Sequence, residues 1–289
     1  MSYTKYGRIF RNFILVMFLA QAVTSQAFAH EDHGNPNGLH FSHPLITESP
    51  SPDTKIRLDY FFLNVDGEVE EEELGEESEG PSKYKESTVR LELEYAFTRN
   101  ISIEADIPYT FINPDEGKDV SHFNTIDIGV KLATFILEEY GVLLGGGLEF
   151  GLPTGDDDKG IGSDNIFEIE PFLSFGWKYK ILEVVSFLHL GIPVNQKGGQ
   201  DEGNELGYNL STLVHATDWL EVLLEFDGET VLSGEEEGES VLNIDPGVKF
   251  KPFKSQELHV GFGAGFPVTH DEEFEVRLIA SVFYHFPYK

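Results

Sequence analysis

Apolar and polar residues alternate one for one along most of the chain, from Lys55 to the C-terminal end. In the segment 87–97, for example, Val, Leu and Tyr side chains alternate with Arg and Glu side chains. A period of two residues predicts β-strands with one apolar and one polar face. We count twelve such runs, at roughly 55–64, 87–97, 101–111, 123–135, 141–152, 165–179, 184–194, 205–216, 219–231, 240–251, 257–267 and 274–286.

The lengths of these runs and of their connections predict a membrane barrel. Most runs reach the roughly 9 to 11 residues that a tilted strand needs to cross a bilayer, whereas strands of soluble sheets average about 5 or 6. Long polar connections alternate with short ones, as in outer-membrane barrels with short periplasmic turns and longer outer loops. The prediction is an all-β, transmembrane, antiparallel up-and-down β-barrel of about 12 strands over residues 55–289.

Prolines are expected where strands leave the barrel, because proline cannot donate a hydrogen bond to a neighbouring strand. Pro108, Pro153, Pro193 and Pro267 follow apolar residues at similar points of four upward strands. Pro246 instead falls in the middle of the tenth run, where it weakens the strand assignment or marks a bulge.

Alternation alone does not say whether the apolar face meets lipid or a second sheet of a soluble sandwich. Strand length, an export signal and aromatic residues beside the short turns favour lipid, because aromatic girdles lie at membrane interfaces. These aromatic residues are Tyr95, Phe97, Trp177, Tyr179, Trp219, Tyr284 and Phe286.

The N-terminal region divides into two parts. Residues 1–29 carry three basic residues, an apolar run from Phe13 to Ala20 and the sequence Ala27-Phe28-Ala29, which together predict a cleaved signal peptide. Residues 30–54 contain histidines and prolines without periodicity and are predicted to be a flexible N-terminal segment. We therefore expect an exported protein of the cell outer membrane.

Composition excludes several classes of protein. The chain of 289 residues has 20 Lys and Arg against 51 Asp and Glu, a formal net charge of −31. Such an acidic chain lacks the cationic face that nucleic acids require, so we expect no nucleic-acid partner. There is no cysteine, which excludes disulfides, thiolate metal sites and cysteine nucleophiles.

Charged residues occupy the polar face of the strands and are predicted to line the lumen. They either pair across neighbouring strands and make the barrel rigid, or form a water-filled lumen that favours cations. The predicted lumen and transport residues are Arg57, Arg90, Glu92, Glu94, Glu104, Asp106, Asp127, Lys131, Glu168, Glu170, Lys178, Glu221, Glu225 and Arg277.

Two regions offer candidate metal ligands. The outer loop from Asp66 to Glu79 contains nine acids and no base, which indicates either a solvated segment or a trap for divalent cations. In the N-terminal segment, His30, His33, His40 and His43 are weak candidates for Zn2+, Ni2+ or Cu2+, because imidazoles suit these ions. We expect no tightly bound cofactor, with loosely bound divalent cations as the alternative.

A catalytic serine is not predicted. His189 and His215 lie on adjacent predicted strands with Ser186 and Ser211 nearby, but alternation puts Ser186 and His189 on opposite faces. A nucleophile needs its base within hydrogen-bonding reach, so we expect no enzymatic activity.

The segment from Gly151 to Asp156, followed by Lys159 to Ser163, resembles a strand-end signature of the outer-membrane barrel family named for the MetA pathway of phenol degradation. The resemblance extends loosely from about Lys55 to Phe286. It implies a bacterial outer-membrane barrel that admits small, often hydrophobic or aromatic compounds. The C-terminal Lys289 departs from the aromatic ending of such barrels, and the acidic loop is longer than the resemblance implies.

The sequence thus predicts a porin-like monomer that transports small solutes passively. The alternative is a structural or surface-interaction barrel with a closed lumen, whose acidic loops are bridged by divalent cations. The expected partners are outer-membrane lipid and lipopolysaccharide, a small-molecule solute and the barrel assembly machinery.

Overall fold

The computed structural model describes residues 38–66, 83–115, 117–194, 203–234, 237–252, 257–269 and 274–286. Within these residues the secondary structure is almost entirely β, with two single-turn 3-10 helices at Glu138–Tyr140 and Asp157–Lys159. The strands are β1 (Lys55–Asp66), β2 (Lys83–Thr98), β3 (Ile101–Pro114), β4 (Val120–Phe123), β5 (Ile126–Thr134), β6 (Val142–Leu152), β7 (Phe167–Tyr179), β8 (Leu182–Val194), β9 (Glu205–Thr217), β10 (Leu220–Val231), β11 (Ser240–Phe250), β12 (Leu258–Pro267) and β13 (Val276–His285).

Each strand pairs antiparallel with its neighbours, and β1 pairs with both β2 and β13, which closes the sheet into a barrel. The short strands β4 and β5 both pair with β3, β4 toward the long loops and β5 toward the short turns. They occupy one position in the barrel, so the thirteen segments form twelve barrel strands. The predicted all-β, 12-stranded antiparallel barrel is confirmed.

The prolines differ in their positions relative to the ends of the strands. Pro267 ends β12 and Pro153 follows β6, as predicted, but β3 continues past Pro108 to Pro114. Pro108 lies opposite the interruption between β4 and β5, where its carbonyl accepts a hydrogen bond from the backbone N–H of Asn124 at 3.0 Å. Pro246 lies inside β11, where it pairs with Leu224 of β10 without a shift in register.

The outer face of the barrel is a continuous apolar surface. Its exposed side chains are mostly Leu, Ile, Val and Phe, and they include Leu58 of β1, Leu173 of β7 and Val282 of β13. The opposite faces of the same strands carry buried charged residues such as Arg57 of β1 and Lys131 of β5. Apolar outside and charged inside is the arrangement of a barrel in lipid. No helix among the described residues is long and apolar enough to cross a membrane.

The barrel interior contains residues 38–54, which we call the inner segment. It enters at the short-turn end, where the backbone N–H of Leu39 donates to Glu138 at 2.7 Å, and it returns to that end at the start of β1. Phe41, Leu45 and Thr47 of this segment are at most 1% exposed. This differs from the flexible segment that the sequence analysis predicts, because the burial depends on contacts with distant strands rather than on local periodicity.

Candidate functional site

The inner segment is anchored to the barrel wall through its backbone. The carboxylate of Glu225 on β10 accepts hydrogen bonds from the backbone N–H groups of Leu45 at 2.7 Å, Ile46 at 3.2 Å and Thr47 at 2.9 Å. It also accepts a hydrogen bond from the hydroxyl of Ser211 on β9 at 2.5 Å. Hydrogen bonds to an ionised acceptor are among the stronger ones in proteins, so this carboxylate fixes the turn at residues 45–47.

Other charged residues of the wall bind the carbonyl groups of the inner segment. Lys249 donates to the carbonyl of His43 at 2.6 Å, and Lys178 donates to the carbonyl of His40 at 3.2 Å. The guanidinium of Arg57 donates to the carbonyl of Leu45. These contacts satisfy backbone groups that would otherwise be buried without partners.

Glycines in the wall make room for the apolar side chains of the inner segment. A β-carbon placed on Gly176 of β7 would lie 2.8 Å from the ring of Phe41. One placed on Gly261 of β12 would lie 2.4 Å from the side chain of Leu45. Any residue with a β-carbon at position 176 or 261 would therefore clash with Phe41 or Leu45.

The fourteen predicted lumen residues lie on the inward face of the barrel. Arg57, Glu92, Glu94, Lys131, Glu221 and Glu225 are buried. The remaining eight are half-buried, namely Arg90, Glu104, Asp106, Asp127, Glu168, Glu170, Lys178 and Arg277.

Many of these charged groups pair with one another. Lys131 contacts Glu104 at 2.8 Å and Glu48 of the inner segment at 3.1 Å, and Arg90 contacts Asp59 at 2.8 Å. These ion pairs connect neighbouring strands of the wall and tie the wall to the inner segment.

Acidic groups outnumber basic ones in a cavity of about 190 Å³ between the inner segment and the long loops. We call this cavity the acidic chamber. Oε1 of Glu104 and Oδ1 of Asp106 are buried there without hydrogen-bond partners. The chamber is lined by Ile46, Glu48, Arg90, Glu92, Glu104, Asp106, Asp127, Gly129, Glu149, Glu170, Phe187 and His189, which include seven carboxylates and one arginine.

A second group of polar residues lies at the short-turn end. Oδ2 of Asp53 is 2.6 Å from Nδ1 of His285 on β13, 3.3 Å from Nε2 of His40 and 3.4 Å from Nε2 of His43. His40 and His43 are metal candidates from the sequence, whereas Asp53 and His285 are not, because only the fold brings them beside these histidines. His30 and His33 lie outside the described residues.

Burial and neighbouring charges set the protonation of this group, which belongs to the inner segment rather than to the membrane-spanning strands. Burial, followed by the ammonium of Lys55, lowers the pKa of His43 well below its ordinary value, so the ring is neutral. Burial raises the pKa of Asp53, but the hydrogen bond and charge of His285, followed by the hydrogen bond of His40, outweigh that effect and hold the pKa well below its ordinary value. Asp53 is therefore ionised.

The remaining candidate residues lie in the long loops and on β8. Most of the acidic loop 66–79 lies outside the described residues. Asp156, in another long loop, pairs with Lys159 at 2.5 Å, and the hydrogen bond from this lysine lowers the pKa of Asp156. His189 contacts Glu170 at 3.0 Å inside the barrel, whereas Ser186 belongs to the outward-facing positions of the same strand.

Comparisons with known proteins show the fold of this chain. No family model matches the sequence, and no curated protein matches it. The structure is similar to the COG4313 outer membrane channel from Pseudomonas putida F1, with a TM-score of 0.63 and 13% identity over 87% of this chain and 99% of that chain. It is also similar to the NanC porin, with a TM-score of 0.51 and 9% identity over 81% of this chain and 100% of that chain. The chain thus has the fold of outer-membrane channel and porin barrels; the phenol-degradation family is not confirmed.

Proposed function

We propose that this protein is a passive channel of the outer membrane that admits small solutes and favours cations. The barrel fold shared with outer-membrane channels and porins supports the first part of the proposal. The acidic chamber supports the second, and it is the observation that carries the choice of solute charge. Carboxylates inside a low-dielectric wall concentrate their field on whatever enters, so a cation relieves their mutual repulsion and an anion increases it.

The resemblance to the phenol-degradation family implies hydrophobic or aromatic solutes instead. Phe187 and Ile46 line the chamber with apolar side chains beside the carboxylates. This combination suits a small solute that carries a positive group on an apolar body, because the two surfaces can be contacted together. A neutral aromatic compound would leave the carboxylates without partners, which costs free energy in a buried site.

A second candidate function is a closed structural barrel. It is favoured by one observation, the packing of the inner segment against the wall at the short-turn end, which removes space from the lumen. On this alternative the outer loops contact lipopolysaccharide or a partner through divalent cations, and no solute passes.

Planar-bilayer recording separates the two functions. Under a salt gradient, the channel proposal expects discrete conductance steps and a reversal potential that reports cation preference. The double variant Glu104→Gln and Asp106→Asn should weaken that preference, because it removes charge from the chamber without changing side-chain size. The matched control Glu237→Gln neutralises an exposed loop acid and should leave the preference unchanged.

Two results would contradict the channel proposal. A folded barrel that shows no conductance and no solute uptake in liposomes supports the structural candidate. Conductance that favours anions, or a preference that the double variant does not alter, rejects the role of the acidic chamber.

A further inference from the structure

Two histidines and an aspartate of the inner segment converge at the short-turn end of the lumen. One ligand atom each from His40, His43 and Asp53 lies within 4.8 Å of the other two. The separations of 3.3 Å and 3.4 Å between Oδ2 of Asp53 and the two Nε2 atoms match the edge of a tetrahedron. Metal-to-ligand distances of about 2.0 to 2.1 Å give ligand-to-ligand distances of about 3.3 to 3.4 Å in tetrahedral geometry.

A second observation points to a ligand at this position. The side chain of His43 is 1% exposed, and its Nε2 atom forms no hydrogen bond although it faces Asp53. Buried polar atoms in proteins are nearly always satisfied, so a buried ring nitrogen without a partner requires an explanation. A metal ion bound among the three residues would provide one.

The surroundings of the three residues are also those of a metal site. His285 donates from Nδ1 to Oδ2 of Asp53 at 2.6 Å and so fixes the orientation of that carboxylate. Partners of this kind, one step removed from the ion, commonly orient metal ligands. The side chain of His40 is 16% exposed, which leaves a route for an ion from the short-turn end.

We propose that His40, His43 and Asp53 bind a divalent transition-metal ion, with Zn2+ as the best match, and that this ion fastens the two arms of the inner segment to each other. Imidazole nitrogens with one carboxylate suit Zn2+, Cu2+ and Ni2+, whereas Ca2+ and Mg2+ prefer all-oxygen sites. A water molecule completes the four-coordinate shell. The proposal is independent of whether the barrel conducts solutes.

The proton balance of the site follows from its hydrogen bonds. The ammonium of Lys55 has no lone pair, so it donates to Nδ1 of His43 at 2.8 Å and the ring proton resides on Nε2. When Nε2 binds the metal ion, its proton is released to solvent and Lys55 passes one proton to Nδ1, so the ring stays neutral and the pair loses one proton in total. The neutral amine of Lys55 then accepts a hydrogen bond from Nδ1–H, and the positive charge of the ion replaces the charge lost from Lys55, which Glu92 and Glu94 also contact.

The position of the site gives the ion a mechanical effect. His40 and His43 lie on the entering arm of the inner segment and Asp53 lies on the returning arm, so an ion closes the base of the loop between them. Closing a loop removes conformations from its open state, which disfavours withdrawal of the segment from the lumen. Zn2+ should therefore lower conductance if the barrel conducts.

The test begins with the purified full-length barrel in detergent micelles and Zn2+ as the probe. Competition against a chromophoric chelator, in excess Mg2+ to saturate the acidic loops, should reveal one site per chain. His40→Asn and Asp53→Asn should each weaken Zn2+ binding by more than the roughly 10- to 100-fold loss typical of removing an outer partner of a metal ligand. His122→Asn, a change of a histidine on β4 that belongs to neither the cluster nor the acidic chamber, is the matched control and should bind as the unmodified protein does.

His40 is partly exposed, so its variant can be compared even if Asp53→Asn folds poorly. X-ray absorption of the unmodified protein loaded with Zn2+ needs no variant and should show two imidazoles in a shell of nitrogen and oxygen ligands. Oxygen-only coordination, or equal Zn2+ affinity in all three variants, would overturn the proposal. In a conducting barrel, Zn2+ binding that leaves the conductance unchanged would overturn the fastening role of the ion.

Discussion

At the scale of single residues, one carboxylate controls the turn of the inner segment. Glu225 is buried and accepts three backbone N–H groups together with the hydroxyl of Ser211. A buried acceptor that serves several donors is difficult to replace, because every donor loses its partner when the acceptor is changed. The residue lies on β10, far in sequence from the segment that it holds.

Glu225→Gln should loosen the turn. The substitution replaces one accepting oxygen with an NH2 group, which cannot accept hydrogen bonds from the backbone N–H groups of Leu45, Ile46 and Thr47. We expect the inner segment to be destabilised by about 1 to 3 kcal/mol. Hydrogen exchange of a peptide that contains residues 45–47 measures this change. A destabilisation of about 1 to 3 kcal/mol makes exchange in the variant roughly 5- to 150-fold faster than in the unmodified protein. Glu229→Gln, the same change farther along β10, is the control.

Equal exchange in the two variants would show that the turn does not depend on the carboxylate. The comparison is sharp because both variants lose the same charge from the same strand. The two positions differ in burial and in contact with the inner segment, since Glu225 is buried and Glu229 is half-buried.

At the scale of secondary structure, the outward face of each strand must suit lipid. Leu173 is central in β7 and 67% exposed, as a residue facing hydrocarbon would be. On the surface of a soluble protein, arginine at such a position would be tolerated, because its charge would be hydrated. In a bilayer the same charge loses its hydration near the midplane.

Leu173→Arg should therefore destabilise the barrel in phospholipid vesicles by about 2 to 4 kcal/mol, the range for a basic residue at the midplane of a membrane barrel. Equilibrium unfolding of the vesicle-embedded protein in denaturant gives this value. Leu232→Arg makes the same change at an exposed position outside the strands and should cost little. A similar, small cost at both positions would contradict the lipid-facing assignment of β7.

The strands could be predicted from the sequence because their burial pattern is local. Each run alternates between lipid and lumen, so a period of two residues reports its conformation without knowledge of its neighbours. Strand β4 is not predicted, because the fourth run begins at about residue 123 and leaves residues 120–122 in a long connection. It depends on pairing with β3 near Pro108, which is a relation between two strands.

The inner segment was predicted as flexible for a similar reason. Its partners Glu225, Lys249 and Gly176 are far away in sequence, and its own residues show no period. One signal was present: glycines occur at inward positions of several strands, where a lumen of water would not require small residues. Residues His285 and Asp53 likewise meet only through the closure of β1 against β13.

At the scale of the whole molecule, the barrel has two interior zones. The inner segment packs against the wall toward the short turns, and the acidic chamber lies beyond it toward the long loops. The chamber is built mainly by the wall, whereas Ile46 and Glu48 of the inner segment form only part of its lining. A change in the position of the segment should therefore alter the width of the lumen more than its charge.

The wall glycines allow this expectation to be tested in the full-length chain. Leucine at Gly176 and Gly261 would fill the space taken by Phe41 and Leu45 and would push the inner segment away from the wall. We expect the double variant to have a higher single-channel conductance than the unmodified protein, with cation preference retained. Planar-bilayer recording under a salt gradient measures both quantities on the same channels.

Rescue provides the control for this experiment. Phe41→Gly and Leu45→Gly, added to the double variant, vacate the space that the two leucines require and should return the conductance toward that of the unmodified protein. Overpacking of a core usually costs stability, so unfolding must be measured in parallel to show that each variant remains a barrel. A folded double variant with unchanged conductance would mean that the inner segment does not restrict the path through the barrel. The long loops would then determine whether the lumen is open or closed.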